Sequence, residues 1–128
     1  NGQIARGIDH LEKAYVMDGK NPAVLNNLAW FIAHDDPPQL DRALELTNKV
    51  ISLFPTQKEF HESRGQIHAL RNQWEEARQD LELATTVMPD HIELHRTLVK
   101  VYEALALPTM ARVHREKVDL LEQANRAE

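Results

Sequence analysis

The sequence of 128 residues contains no cysteine, only four glycines and few aromatic residues. The lack of cysteine excludes disulfides and thiol catalysis but fits any compartment, among which the cytoplasm is slightly favoured. Because no apolar run approaches the roughly 18 residues of a membrane span, we expect a soluble segment without membrane contact. The net charge of −5 mixes both signs, so nucleic acid is not an expected partner.

What the sequence does contain is a repeat with a period of 34 residues. Pro55 and Pro89 are separated by this interval, and several neighbouring residues recur with them. These residues are Ala43, Ala77 and Ala111, Thr56 and Asp90, Glu59 and Glu93, and His61 and His95. A fixed period of this length indicates a stack of small supersecondary units, each of which is completed by its neighbours.

Apolar residues recur at helical spacing, and no alternating pattern typical of strands competes with them. The first clear stripe consists of Leu25, Leu28, Ala29 and Ile32, at positions i, i+3, i+4 and i+7. Pro22, Pro38 and Pro108 fit the first turn of a helix, where the missing N–H costs nothing. We predict seven helices, near residues 3–18, 22–34, 38–53, 57–71, 74–87, 91–105 and 108–125.

Three of the predicted helices start at a possible capping box. In this motif a side-chain oxygen precedes a carboxylate by three residues, and it accepts a hydrogen bond from an unpaired N–H of the first turn. The three pairs are Thr56 with Glu59, Asn72 with Glu75, and Asp90 with Glu93. We therefore expect Thr56, Asn72 and Asp90 to cap the fourth, fifth and sixth helices.

The repeated residues resemble the tetratricopeptide repeat. Its motif expects large, small and aromatic residues along a first helix, then Ala, an aromatic or Leu, Ala and Pro along a second. The three copies here are Leu25, Leu28, Ala29, Ile32, Ala43, Thr47, Val50 and Pro55; His61, Arg64, Gly65, His68, Ala77, Leu81, Ala84 and Pro89; and His95, Leu98, Val99, Tyr102, Ala111, Arg115 and Val118. The resemblance implies an all-α solenoid of antiparallel helix pairs, wound into a right-handed superhelix.

The repeat pattern divides this single domain into four parts. We assign residues 1–20 to the second helix of a truncated repeat, 21–57 to a repeat with a two-residue turn insertion, 58–91 to the next repeat, and 92–128 to a repeat with an extended C-terminal helix. The start at Asn1 suggests a piece of a longer protein, and Gln123 in place of proline suggests that the array ends here. The resemblance places Gly65 at a close approach of two helices.

The second and third copies depart from the motif. His61, Arg64 and His68 in the second copy, and Arg115 in the third, stand where the motif prefers large apolar groups. Because polar side chains fill an apolar contact poorly, we expect these two repeats to pack less densely than the first.

The resemblance implies a protein-interaction scaffold that holds an extended peptide or a helix in a concave groove. Amides there can hold a ligand backbone, Trp30 supplies contact area, and Arg96 with Lys100 favours an acidic group. For any single charge, the alternative is a solvated helix face. By position, the partner-binding residues are Asn26, Asn27, Trp30, Glu59, Glu62, Ser63, Gln66, Glu93, Arg96, Lys100 and Glu103.

A structural alternative is self-association through the first helix. This helix carries an apolar stripe, formed by Ile4, Ile8, Leu11 and Tyr15. In a complete repeat another helix would lie beside it, and terminal repeats without a polar cap tend to expose apolar surface. We therefore expect some of this stripe to be covered by a second copy of the chain.

An enzymatic alternative depends on the seven histidines. His91 and His95 are four residues apart on one predicted helix, a spacing able to share a metal, and His61 is equivalent to His95 one repeat earlier. However, the sequence has no His-Glu-x-x-His motif, Gly-rich phosphate loop or nucleophile elbow. We therefore expect neither an enzyme nor a cofactor or metal site.

Overall fold

The computed structural model describes residues 2–127, which form seven α-helices and no strand. The predicted all-α solenoid is confirmed. Within these residues no helix combines the length and the apolar character needed to cross a membrane. The helices are α1 (Gly2–Met17), α2 (Pro22–Ala33), α3 (Leu40–Leu53), α4 (Glu59–Leu70), α5 (Trp74–Thr85), α6 (Ile92–Ala104) and α7 (Pro108–Ala127).

The helices pack as consecutive pairs. α2 packs on α3, α4 on α5 and α6 on α7, and the short turn within each pair makes its two helices antiparallel. α4 contacts both α2 and α6, so these three helices form an inner row, while α3, α5 and α7 form an outer row. α1 packs on α2, and the inner row carries the candidate site described below.

Two helices start without the predicted side-chain caps. α4 begins after Lys58, whose backbone is already helical (φ −68°, ψ −18°), so Thr56 lies too far from the helix to cap it. α5 begins after Gln73, which makes no side-chain cap, while Asn72 has a left-handed backbone with φ of 60°. Both predictions were wrong because the turns place the candidate oxygen outside the capping position. Likewise α3 begins at Leu40, which leaves Pro38 in the preceding turn.

α6 is capped by a histidine instead of the predicted aspartate. The Nδ1 atom of His91 accepts a hydrogen bond from the Leu94 N–H at 3.2 Å. Asp90 lies one residue earlier and forms an ion pair with Lys117 of α7 at 3.0 Å. The prediction for Asp90 was wrong because its neighbour His91 occupies the N-cap position, where its own ring nitrogen performs the same function.

The buried apolar side chains form two clusters. The first cluster joins α2, α3 and α4 around residues such as Leu28, Val50 and Ile67. Part of α1 packs against it. The second cluster joins α5, α6 and α7 and includes Leu81 and Leu98. Since α4 belongs to the first cluster and α5 to the second, the contact between α4 and α5 connects the two.

Gly65 makes this contact possible. A Cβ atom added at Gly65 would lie 2.7 Å from Cγ and 2.8 Å from Cδ2 of Leu81, which is fully buried. These distances are shorter than carbon atoms tolerate without displacement. The predicted close approach of two helices at Gly65 is therefore confirmed, and its partner is Leu81.

The polar residues that depart from the motif in α4 surround a buried aspartate. Asp80 of α5 is 5% exposed. It accepts hydrogen bonds from His61 Nδ1 at 2.8 Å and from Arg64 Nε and Nη2 at 2.7 and 2.8 Å. His68 Nε2 lies 3.8 Å from the same carboxylate. Buried charge is tolerated when it is paired in this way, so the second repeat places a polar cluster where the motif places apolar groups.

We predict that Gly65→Ala destabilises the fold. Alanine favours a helix by about 0.5–1 kcal/mol over glycine, but overpacking a buried contact costs about 1–3 kcal/mol, so the net change in unfolding free energy should be a loss. Urea denaturation followed by circular dichroism measures it. Gly2→Ala is the control, because an added Cβ there has nothing within 4 Å. An unchanged or higher urea midpoint for Gly65→Ala would contradict the packing described here.

Candidate functional site

A cavity of about 660 Å³ opens along the inner row of helices. We call this cavity the groove. Its lining combines apolar side chains with a few charged and amide groups, a combination typical of binding sites. The lining residues are Trp30, Ala33 and His34 near α2; Glu62, Ser63, Gln66, Ile67, Ala69 and Leu70 of α4; Asn72 and Trp74 near the start of α5; and His91, Glu93, Thr97 and Lys100 near and within α6.

Not all of the predicted partner-binding residues line the groove. Six of them do, namely Trp30, Glu62, Ser63, Gln66, Glu93 and Lys100. Five of them do not, namely Asn26, Asn27, Glu59, Arg96 and Glu103. The sequence positions were therefore informative mainly where all three inner helices converge, and a binding role for any of these residues remains a prediction.

Trp30 provides the largest apolar surface of the groove. Its side chain is 52% exposed and stacks on the His34 ring, with 4.2 Å between the ring centroids. The adjacent Phe31 points elsewhere, since a Cβ atom added at Gly7 of α1 would lie 2.6 Å from the Phe31 ring. Leu70 of α4 is also exposed, at 49%, and lines the same cavity. An exposed tryptophan beside an exposed leucine gives the groove an apolar contact area.

Gln66 connects α4 to α6. The Thr97 hydroxyl donates a hydrogen bond to Gln66 Oε1 at 2.7 Å, and Gln66 Nε2 donates to the Glu93 carbonyl oxygen at 3.5 Å. Because these bonds occupy the amide, the expectation that Gln66 holds a ligand backbone is not supported. Its observed role is to fix the spacing of two groove helices.

Arg96 is engaged within the chain, which also differs from expectation. Its guanidinium forms an ion pair with Glu93 and a second with Glu122 of α7 at 3.3 Å. By contrast, Lys100 lines the groove and makes no ion pair with any residue between 2 and 127. Lys100 alone, without Arg96, is therefore available to attract an acidic group.

Glu62 places a carboxylate in the groove without a cation beside it. Burial raises the pKa of Glu62, a hydrogen bond from Gln66 and the charge of His91 oppose this rise, and neighbouring Glu93 adds to it. No salt bridge involves Glu62 in the described part of the chain. A half-buried carboxylate that lacks a partner costs free energy, so the groove contains an unmet demand for a positive charge.

The histidines considered as metal ligands are engaged in separate contacts. His91 caps α6, His61 binds Asp80, and His95 contacts His114 of α7. Across residues 2–127, no three histidine, aspartate or glutamate side chains are arranged to hold a metal ion. The His91–His95 spacing seen in the sequence therefore does not bring the two rings to one point.

Comparison with solved structures defines the class of fold. The chain is similar to "MamA RS-1 ArsTM double mutant" (TM-score 0.81, 17% identity, 99% of this chain and 70% of that chain). It is also similar to "Crystal structure of MamA" (TM-score 0.78, 16% identity, 94% and 70%) and to "MamA MSR-1 C2" (TM-score 0.75, 22% identity, 97% and 70%).

These matches show a tetratricopeptide-like helical repeat fold, since MamA is a protein of that type. Their sequence identities are low, so the likeness concerns the fold alone. No protein-family model matches the chain, and a search of curated proteins finds no match. The function must therefore be argued from the groove itself.

We predict that Glu62→Gln does not destabilise the chain at pH 7. Because the pKa of Glu62 is raised in the folded state, its contribution is favourable below the unfolded pKa and is lost as the pH rises through the folded value. The variant should therefore be at least as stable as the wild type near pH 7, and its relative stability should decrease towards about pH 4.

Urea midpoints at both pH values test this prediction. The same substitution at Glu76, which is exposed on α5, controls for the change in net charge. A wild type that is clearly more stable than Glu62→Gln at neutral pH would mean that a favourable interaction of the Glu62 carboxylate has been overlooked.

Proposed function

We propose that the chain is a protein-interaction scaffold that binds a segment of a partner protein in the groove. The observation that carries this proposal is Trp30, whose half-exposed ring faces a cavity walled by three helices. Tryptophan side chains contribute strongly to binding where they are buried by a partner, and a free protein gains nothing from leaving one exposed. The scaffold is proposed to act by binding alone.

The charges of the groove select the chemistry of the partner segment. Glu62 lacks a cation, so a lysine or arginine of the partner would remove the cost of burying its carboxylate. Lys100 has a free ammonium group, so an acidic partner residue can pair with it. The apolar area around Trp30 and Leu70 accepts an apolar side chain. We therefore propose an amphipathic segment with basic, apolar and acidic residues.

Selection from a displayed library of random peptides tests the proposed function. Recovered peptides should share a basic and an apolar residue and should bind the wild type in a titration. Trp30→Ala should weaken that binding about tenfold or more, since losing a central aromatic contact typically costs more than 1 kcal/mol. Leu120→Ala is the control, because Leu120 is an exposed apolar residue of α7 outside the groove.

Two results would contradict the proposal. One is a selection that recovers no peptide with saturable binding. The other is a set of peptides that bind wild type and Trp30→Ala equally well. Binding that depends on Trp30 but not on Glu62, in the Glu62→Gln variant, would keep the groove and remove only the requirement for a basic residue.

Self-association through α1 is the second candidate function. Ile8, Leu11 and Tyr15 of the predicted stripe pack against the first apolar cluster, so they are mostly covered within the chain. Val16 and Met17 at the end of α1 are instead 86% and 87% exposed. Two adjacent exposed apolar side chains favour contact with another apolar surface.

We predict weak self-association that depends on these two residues. Sedimentation velocity over a range of concentrations should show a rising sedimentation coefficient for the wild type. The double variant Val16→Ser, Met17→Ser should remain monomeric, because it removes the exposed apolar area without changing a buried contact. A wild type that is monomeric at the highest concentration, or a variant that associates equally, rules out this end of α1 as the contact.

A further inference from the structure

The same position between an inner and an outer helix is filled by a different pair in each repeat. The pairs are Leu25 with Leu46, His61 with Asp80, and His95 with His114. The period of 34 residues separates His61 from His95 and Asp80 from His114. The first repeat therefore has an apolar pair, the second an ion-pair arrangement, and the third two histidines.

The two histidines of the third repeat belong to a buried chain of hydrogen bonds. His95 is 5% and His114 7% exposed. Their Nδ1 atoms are 2.9 Å apart. His95 Nε2 lies 2.7 Å from the Pro89 carbonyl oxygen, and His114 Nε2 lies 2.9 Å from Glu82 Oε1. The Tyr102 hydroxyl donates to the same Glu82 oxygen at 3.0 Å.

The outer partners of this chain place two of the ring protons. A carbonyl oxygen can only accept, so His95 Nε2 carries a proton towards Pro89. The Glu82 carboxylate also accepts, so His114 Nε2 carries a proton towards it. A neutral imidazole has only one ring proton. If both rings were neutral, two lone pairs would face each other at 2.9 Å, and two additional protons would place two N–H groups there.

Only one additional proton turns this contact into a hydrogen bond. We propose that the third repeat contains a proton-binding site, in which His95 and His114 share one proton between their Nδ1 atoms and Glu82 balances the resulting positive charge. The proton is the ligand of the site, and every other polar atom of the chain of hydrogen bonds is satisfied when it is bound. His114 belongs to α7, Glu82 to α5 and His95 to α6, so the bound proton fastens three helices together.

The groups around Glu82 keep it available as the counter-charge. The hydrogen bond from His114 lowers the pKa of Glu82 against the effect of burial, and the bond from Tyr102 lowers it further. Burial raises the pKa of Tyr102 to about 12, so its hydroxyl keeps its proton and donates. Arg78 of α5 adds a favourable positive charge to Glu82. An ionised Glu82 therefore faces the histidine pair.

The groups around His95 decide which ring holds the additional proton. Burial lowers the pKa of His95, as do the positive charges of His114 and Lys117, while the Pro89 carbonyl and Glu82 oppose this. Lys117 is itself paired with Asp90 at 3.0 Å. The additional proton therefore resides mainly on His114, beside Glu82, and His95 accepts the hydrogen bond as a neutral ring.

The site gives stability a bell-shaped dependence on pH. In the unfolded chain two histidines with an ordinary pKa bind on average one proton near pH ~6.5, two protons below it and none above it. The folded chain holds one proton across this range. Above pH ~6.5 it therefore binds more protons than the unfolded chain, so stability decreases as the pH rises; below pH ~6.5 the unfolded chain binds more, so stability decreases as the pH falls.

The double variant His95→Leu, His114→Leu isolates this contribution. It introduces the pair that the first repeat already has, so the packing has a precedent in the same chain. The difference in urea midpoint between wild type and variant should be largest near pH ~6.5 and should shrink on both sides. The range above about pH 5 is used, because Glu82 is ionised there in both proteins. A difference that does not vary with pH overturns the proposal.

Nuclear magnetic resonance measures the proton directly and does not require the double variant to fold. In the wild type at a pH about one unit above the ordinary histidine value, the nitrogen shifts of His95 and His114 should together report three ring protons. Two neutral rings at that pH, or two independent titrations at the ordinary value, would overturn the proposal. Glu82→Gln removes the counter-charge, so in this variant the third proton should be lost at a lower pH. An unchanged titration would show that Glu82 does not balance the pair.

Discussion

The close approach of α4 and α5 at Gly65 is the constraint on which the rest of the structure depends. It brings Leu81 against the α4 backbone and thereby joins the apolar cluster of α2, α3 and α4 to that of α5, α6 and α7. In a solenoid each repeat contacts only its neighbours, so a loosened contact in the middle separates the array into two parts. The groove spans this point, since its walls come from α2, α4 and α6.

The repeats keep one packing geometry and vary the chemistry inside it. An inner and an outer helix meet through two leucines in the first repeat, through His61 and Asp80 in the second, and through His95 and His114 in the third. Replacing an apolar pair by polar groups is unfavourable unless every group finds a partner. Arg64 supplies that partner for Asp80, and Glu82 supplies it for His114.

The period of 34 residues made most of the fold predictable, because it locates each helix pair and the small residue between them. It did not predict the helix caps, since a shift of one or two turn residues moves the capping position from Asp90 to His91. It also did not reveal the partners of His61 and His95. Asp80 and His114 obey the same period, but they differ in identity, so only the structure shows them as equivalent. Gln66 and Arg96 were misjudged because their contacts come from α6 and α7.

α6 takes part in both the groove and the proton-binding site. One side of it presents Thr97 to Gln66, and the other presents His95 to His114. The buried charge at His114 is matched by Glu82, whereas Glu62 in the groove faces no cation from the described chain. Since a fold gains nothing from an unmatched buried carboxylate, Glu62 is a feature that the scaffold itself does not explain. An external partner that supplies the missing positive charge explains it, which is why the groove, and not the polar interior, is the place to search for function.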